Sequence, residues 1–283
     1  TRKNSLSGSR KNIAEHYDLS NDFFKLFLDS SMMYSSAVYQ HKDMTLEQAS
    51  DYKKELICQK LQLKPMDHLV EIGSGWGGFA IYAAQNYGCK VTTITISQAQ
   101  YDEATKRIAD AGLNHRVDVQ LIDYRLLEGK FDKLVSIEMI EAVGEQYLST
   151  YFNKCRSLLK PNGLGLIQAI TIEDARYKKA LNTVDYIKRY IFPGSFIPCI
   201  SVLTQAASEQ QLRLKHLEDI GLSYAETIHQ WRERFLNAKE QILALGFDEN
   251  FIRMWDFYLC YCEGGFKEGV ISNVHLLFEA SAY

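Results

Sequence analysis

Long apolar runs are missing from these 283 residues: none reaches the roughly 18 residues of a membrane span, and no signal-type apolar stretch precedes Asn12. Charge of one sign is also missing. A net charge of −3 supplies no global basic field, which argues against a nucleic-acid partner. The six cysteines contain no C-x-x-C pair and no zinc spacing, and Cys260-Tyr-Cys262 is too tight for an ordinary disulfide. Reduced, cytosolic thiols are expected. Proline is scarce, and the four present sit at expected breaks: Pro65 at a helix end, Pro161 before a strand, and Pro193 and Pro198 in one stiff turn. The chain opens at Thr1 on the polar lead Arg2 to Lys11, read as a flexible remnant (1–11) of a longer protein. Residues 12–283 are expected to form one catalytic domain.

What is present starts with Leu69-Val-Glu-Ile-Gly-Ser-Gly-Trp-Gly-Gly-Phe79, an apolar run, an acid, a glycine cluster and then a helix-like segment. That order reads as strand, tight turn, helix, and Gly73, Gly75 and Gly78 match G-x-G-x-x-G. The motif alone fits several nucleotides. A dinucleotide fold places a ribose-binding carboxylate about 20 residues on, but Cys89 to Ser97 ends in hydroxyls followed by Gln98 and Gln100. Glu71, directly before the glycines, suits a cationic nucleoside such as S-adenosylmethionine and would repel a pyrophosphate.

Further along, strands are expected at 68–72, 90–95, 117–122, 131–137, 163–170 and 270–279. Helices are expected at 12–31, 45–61, 77–87, 98–111, 145–159, 225–245 and 248–266. The 45–61 helix opens on a capping box, Thr45-Leu-Glu-Gln48. Strands alternating with helices of this length indicate a parallel sheet whose ligands bind beyond the strands' carboxyl ends. Residues 172–223 break the alternation and read as a helical insertion over that rim: a helix from Asp174 to Ile191, the turn Phe192 to Pro198, and a helix from about Ser201. Lys178, Lys179, Lys188 and Arg189 give it a solvated face that could also touch an anionic surface. The last strand is expected at the sheet edge.

Several motifs together resemble the cyclopropane-fatty-acid synthase family of S-adenosylmethionine-dependent methyltransferases. They are His16 to Phe24, Met33-Tyr-Ser-Ser-Ala-Val-Tyr39, Val70 to Gly78, Thr95-Ile-Ser-Gln98, Asp123-Tyr-Arg125, Ser136-Ile-Glu-Met-Ile-Glu-Ala-Val-Gly144, Tyr190-Ile-Phe-Pro-Gly194 and Tyr261 to Phe266. The resemblance implies an α/β, Rossmann-like class I methyltransferase fold with a mostly parallel seven-stranded sheet, N-terminal helices and the insertion covering an acyl pocket. It implies cofactor contacts from Tyr34, Ser35, Gly73, Gly75, Thr95, Gln100, Tyr124 and Ile137, with Glu71, Ser74, Ile96, Ser97 and Asp123 beside them. Thr95 and Gln100 suit the ribose, and Asp123 with Tyr124 suits adenine.

The implied reaction adds a methylene across a cis double bond of a phospholipid acyl chain, with bound bicarbonate as the base. The positions matching its cage are Ser36, Glu141, Gln168, Tyr224, Cys262 and the backbone at Ile170. Gln168 stands where the family usually has His, and Ser36 where it usually has Cys. Gln168 keeps an N–H donor but carries no proton at neutral pH. Glu138 lies near the cofactor rim and contacts either the substrate or the nearby backbone. Ala142 replaces a common His, which weakens an N-methyltransferase reading. A methyl- or methylene-branched product, an amine acceptor, or a catalytically silent lipid-binding homologue remain alternatives. Cytoplasmic placement with peripheral membrane contact, and a possible homodimer, complete the expectations.

Overall fold

The computed structural model describes residues 19–282. The polar lead, and the part of the 12–31 helix before residue 19, lie outside the described residues. Of that helix the structure has α1 (Asn21–Lys25), capped by the Ser20 side chain. Then come α2 (Leu46–Lys60), β1 (His68–Ile72), α3 (Gly78–Tyr87), β2 (Lys90–Thr95), α4 (Gln98–Asp110), β3 (Val117–Leu121) and β4 (Phe131–Ile137). The capping box forms as expected: Thr45 Oγ1 accepts from the Gln48 amide and Gln48 Oε1 from the Thr45 amide. α5 (Leu148–Leu158), β5 (Leu159–Ile172), α6 (Asp174–Leu181), α7 (Ile200–Ser208), β6 (Leu212–Asp219), α8 (Gly221–Asn237), α9 (Lys239–Ala244), α10 (Glu249–Lys267) and β7 (Ile271–Ala280) complete the chain.

Seven strands form one sheet in the order β3-β2-β1-β4-β5-β7-β6. The pairs from β3 to β5 are parallel, and β7 runs antiparallel to both β5 and β6. Central strands such as β1 (His-Leu-Val-Glu-Ile) are buried on both faces, which is why they read as continuous apolar runs. One core packs α5 and α7 on one face and a second packs α2 and α3 on the other. A third, rich in aromatic rings, joins α1, α8 and α10.

The structure corrects four expectations. The insertion is not all helix, because it contains the edge strand β6. The last strand is not at the edge, because β7 lies between β5 and β6. The Asp174–Ile191 helix breaks after Leu181 and resumes as a single wide turn, Ile187–Ile191. Lys188 explains the break: its ammonium donates to the carbonyls of Ala180 and Thr183 and so terminates α6. α8 also starts earlier than expected, which puts Tyr224 in its first turn.

Candidate active site

The order of strands reverses at β1, which has β2 on one side and β4 on the other. A ligand crevice opens at such a switch point. Beyond β1 the amides of Gly73 and Ser74 both donate to the Ile94 carbonyl, at 3.0 and 2.8 Å, pinning the turn to β2. Gly73 and Gly75 have φ of +97° and +48°, and a Cβ on Gly75 would meet only open space, so the backbone there forms a cradle. Gly78 serves differently: a Cβ would collide with the Ser31 carbonyl, so its absence lets the 30–33 loop lie on the start of α3. Arg107 holds the same loop through the carbonyls of Ser30 and Ser31.

A cavity of about 790 Å³ begins at this cradle and continues beneath residues 176–197 to α8 and α10. Tyr34, Ser35, Glu71, Gly73, Ser74, Gly75, Thr95, Ile96, Gln100, Asp123, Tyr124 and Ile137 all line it. Glu71 is buried, its Oε2 accepting from the Thr93 hydroxyl at 2.6 Å. Burial pushes its pKa up to about 8, against the opposing effects of Thr93 and Lys53. Thr95 Oγ1 donates to Gln100 Oε1 at 2.9 Å. Ser97 is not among the lining residues; its Oγ caps α4 through the Gln100 amide. The Asp123 carboxylate takes the Nε, Nη2 and backbone N–H of Arg125, whose guanidinium lies 5.4 Å from the Tyr124 ring centre. Sequence reasoning assigned Arg125 no such role. Lys53, wholly buried in α2, donates to Ser35 Oγ at 2.7 Å, and burial lowers its pKa to about 8.

Deeper in the cavity stand two carboxylates. Glu141, in a short turn after β4, accepts the Ile170 amide on Oε1 at 2.6 Å, while its buried Oε2 has no hydrogen-bond partner. Burial, and then the neighbouring Glu138 charge, push its pKa up to about 8. Glu138 follows β4 directly with a φ of +49°. Its Oε1 accepts from the Ser36 amide (2.9 Å), Gln168 Nε2 (2.8 Å) and Asn273 Nδ2 (2.6 Å), and its Oε2 from the Tyr224 hydroxyl (2.6 Å). Burial raises its pKa while these donors oppose the rise.

The six positions matched to an anion cage therefore separate. Glu141, Ile170, Tyr224 and Cys262 line the cavity, whereas Ser36 and Gln168 lie behind Glu138. The Ser36 hydroxyl is turned to the Ala37 carbonyl, and burial pushes the Cys262 thiol up to about 12. A dissolved bicarbonate does not fit this donor set. Tyr224, Gln168 and the Ser36 amide already serve Glu138, and the charge of that carboxylate would repel an added anion.

The mycolic acid cyclopropane synthetase family matches residues 4–276. This protein is a member of that family. It is 38% identical over 273 residues to a tuberculostearic acid methyltransferase of Mycobacterium tuberculosis, covering 93% of this chain and 63% of the relative. It is 40% identical over 264 residues to the cyclopropane-fatty-acyl-phospholipid synthase of Escherichia coli, covering 93% of this chain and 66% of that enzyme. The chain thus spans slightly less than two thirds of the length of these two relatives. Among solved structures, a mycolic acid cyclopropane synthase complexed with SAH and CTAB superposes with a TM-score of 0.90 at 28% identity, covering 95% of this chain and 98% of that one. This family member accordingly has the class I methyltransferase fold, with its glycine turn and its acidic pair opening into one cavity.

Proposed function

We propose that this chain binds S-adenosylmethionine at the glycine cradle and transfers a one-carbon unit to the cis double bond of an unsaturated phospholipid acyl chain, giving a cyclopropane. The observation that carries this reading is the single continuous cavity. Its near end is a polar crevice at the switch point, and its far end is walled by apolar and aromatic side chains around a buried acidic pair. The near end fits the donor: Gly75 leaves room for close approach, Glu71 faces a cationic ligand, and Thr95, Gln100 and Tyr124 offer ribose and adenine contacts. When bound, the donor supplies an electrophilic methyl on a sulfonium. The protein's part is to hold the weakly nucleophilic alkene in line and exclude water, an orientation effect worth up to roughly 7–11 kcal/mol. Rings such as Tyr34, Tyr258 and Phe192 favour developing positive charge.

An exposed aromatic group supports contact with a lipid surface. Tyr190, Phe257 and Tyr261 are 53%, 51% and 46% exposed and gather around Tyr186. Lys178, Lys179 and Arg189 are exposed nearby in sequence, and Tyr261 and Lys179 also line the cavity. No helix among the described residues is long and apolar enough to cross a membrane, so such contact would be peripheral.

The test is incubation with methyl-labelled S-adenosylmethionine and vesicles of unsaturated phospholipid, followed by mass and proton analysis of the acyl chains. A gain of about 14 mass units, one CH₂, with ring protons is expected. The same gain with the signal of a methylene, or of a methyl on a retained double bond, and no ring protons would transfer the reading to a branching lipid methyltransferase. No labelled acyl product would refute both.

A further inference from the structure

We propose that Glu138 is the base of the reaction, a carboxylate of the chain itself standing where the family resemblance implied a bound bicarbonate. This rests on the proposed lipid cyclopropanation. Four donors from four separate parts of the chain, the Ser36 amide, Tyr224, Gln168 and Asn273, converge on its two oxygens. Charge-assisted bonds of this number hold a carboxylate ionised and fix its direction.

The amide of Gln168 is oriented by a second chain of contacts. Lys60 Nζ is 2.7 Å from His275 Nδ1 and, being a donor only, makes that nitrogen the acceptor. The proton of the neutral imidazole therefore lies on Nε2, which donates to Gln168 Oε1 at 3.1 Å. That leaves the NH₂ group of Gln168 for Glu138. Burial keeps His275 neutral, with its pKa well below the usual value. Gln168 thus presents a fixed donor to an internal anion. The left-handed φ of Glu138, strained for a non-glycine residue, persists because these contacts determine it. Glu141 shares the pocket with a single donor, the Ile170 amide, so the two acids divide into one ionised and one protonated member.

As the S–CH₃ bond breaks, its electron pair stays on sulfur, and the alkene π pair forms the new C–C bond, leaving the second alkene carbon electron-deficient. Glu138 takes one proton from the transferred methyl, and the released C–H pair closes the ring. Glu138 then loses that proton to solvent between turnovers. The net products are the demethylated donor, the cyclopropane and one proton.

The experiment compares wild-type, Glu138→Gln and Glu138→Gly proteins in carbon-dioxide-stripped buffer, with and without millimolar bicarbonate or formate. Product is measured by acyl-chain mass, and SAH binding by calorimetry reports the integrity of each variant. Wild-type turnover is expected to change less than about twofold with bicarbonate. Glu138→Gln should lose at least about a hundredfold in kcat, the usual range for a general base, while still binding SAH. Glycine suits the left-handed backbone at 138 and vacates the donor cluster, so Glu138→Gly should be inactive in stripped buffer and regain activity with either anion. A wild-type rate that collapses on stripping and returns with bicarbonate would overturn the proposal. So would full activity of either variant in stripped buffer. Absence of any acyl product from wild type would instead remove the underlying function, and the base assignment with it.

Discussion

Replacing Glu141 by Gln should make the protein more stable at neutral pH, and the size of the gain should depend on pH in a defined way. Burial and the Glu138 charge hold the Glu141 carboxyl at about 8, against an ordinary value of 4.5. A group raised in this way favours the folded state most below its unfolded pKa. That contribution is lost as pH climbs from about 4.5 towards about 8, because the unfolded chain releases the proton first. Each pH unit in this window is worth at most about 1.4 kcal/mol, so the wild type loses about 2–3 kcal/mol between pH 5 and pH 7 through this one residue. Gln keeps the carbonyl that accepts the Ile170 amide and has no proton to lose. The stability gap between variant and wild type should therefore be small at pH 5 and about 2–3 kcal/mol at pH 7. With a urea slope of about 3 kcal/mol/M for a chain of this size, that is a midpoint shift approaching 1 M. Urea titrations at both pH values, followed through the fluorescence of the three buried tryptophans Trp76, Trp231 and Trp255, would measure it. An identical gap at the two pH values would refute the protonated assignment of Glu141. Turnover of the same variant should fall while donor binding stays nearly intact.

Gly78→Ala drives a methyl into the Ser31 carbonyl and should cost about 1–3 kcal/mol, read as a lowered Tm together with weaker SAH binding. Lys53→Met removes an ammonium whose pKa is depressed to about 8 by burial. Its charging penalty, about 3 kcal/mol at or below pH 8, is relieved as pH rises towards 10.5, so the variant's stability advantage should shrink across that range. Tyr224→Phe removes a donor to Glu138 and should lower kcat at least about tenfold, moving the acidic limb of the pH–rate profile upward with SAH affinity unchanged.

The parallel half of the sheet was legible because its strands are buried on both faces and announce themselves as apolar runs between glycine-marked turns. β6 was not, since Leu212-Arg-Leu-Lys-His-Leu-Glu-Asp219 lies at an edge and mixes charged residues with leucines of which only Leu212 is buried. The break between α6 and the 187–191 turn was hidden because it depends on where the Lys188 ammonium lands, not on a helix-breaking residue. In the site, the glycine cradle and the rim residues followed from local pattern. The separation of Gln168 and Ser36 from the cavity did not, because Glu138 stands in front of both. Its importance arises only when residues 36, 168, 224 and 273 meet, and no spacing in the sequence encodes that meeting. Lys53 was concealed likewise: a lysine within a capped helix reads as a solvent-facing residue until the 34–36 loop closes over it.

The backbone at residue 138 has a consequence for how such sites diverge. Codons for glutamate and glycine differ by a single nucleotide, and the left-handed conformation there accepts the smaller residue without rearrangement. One transition mutation would thus separate a catalyst that carries its own acceptor from one that draws it from dissolved carbon dioxide. A lineage could then move between dependence on that gas and indifference to it with its scaffold unaltered.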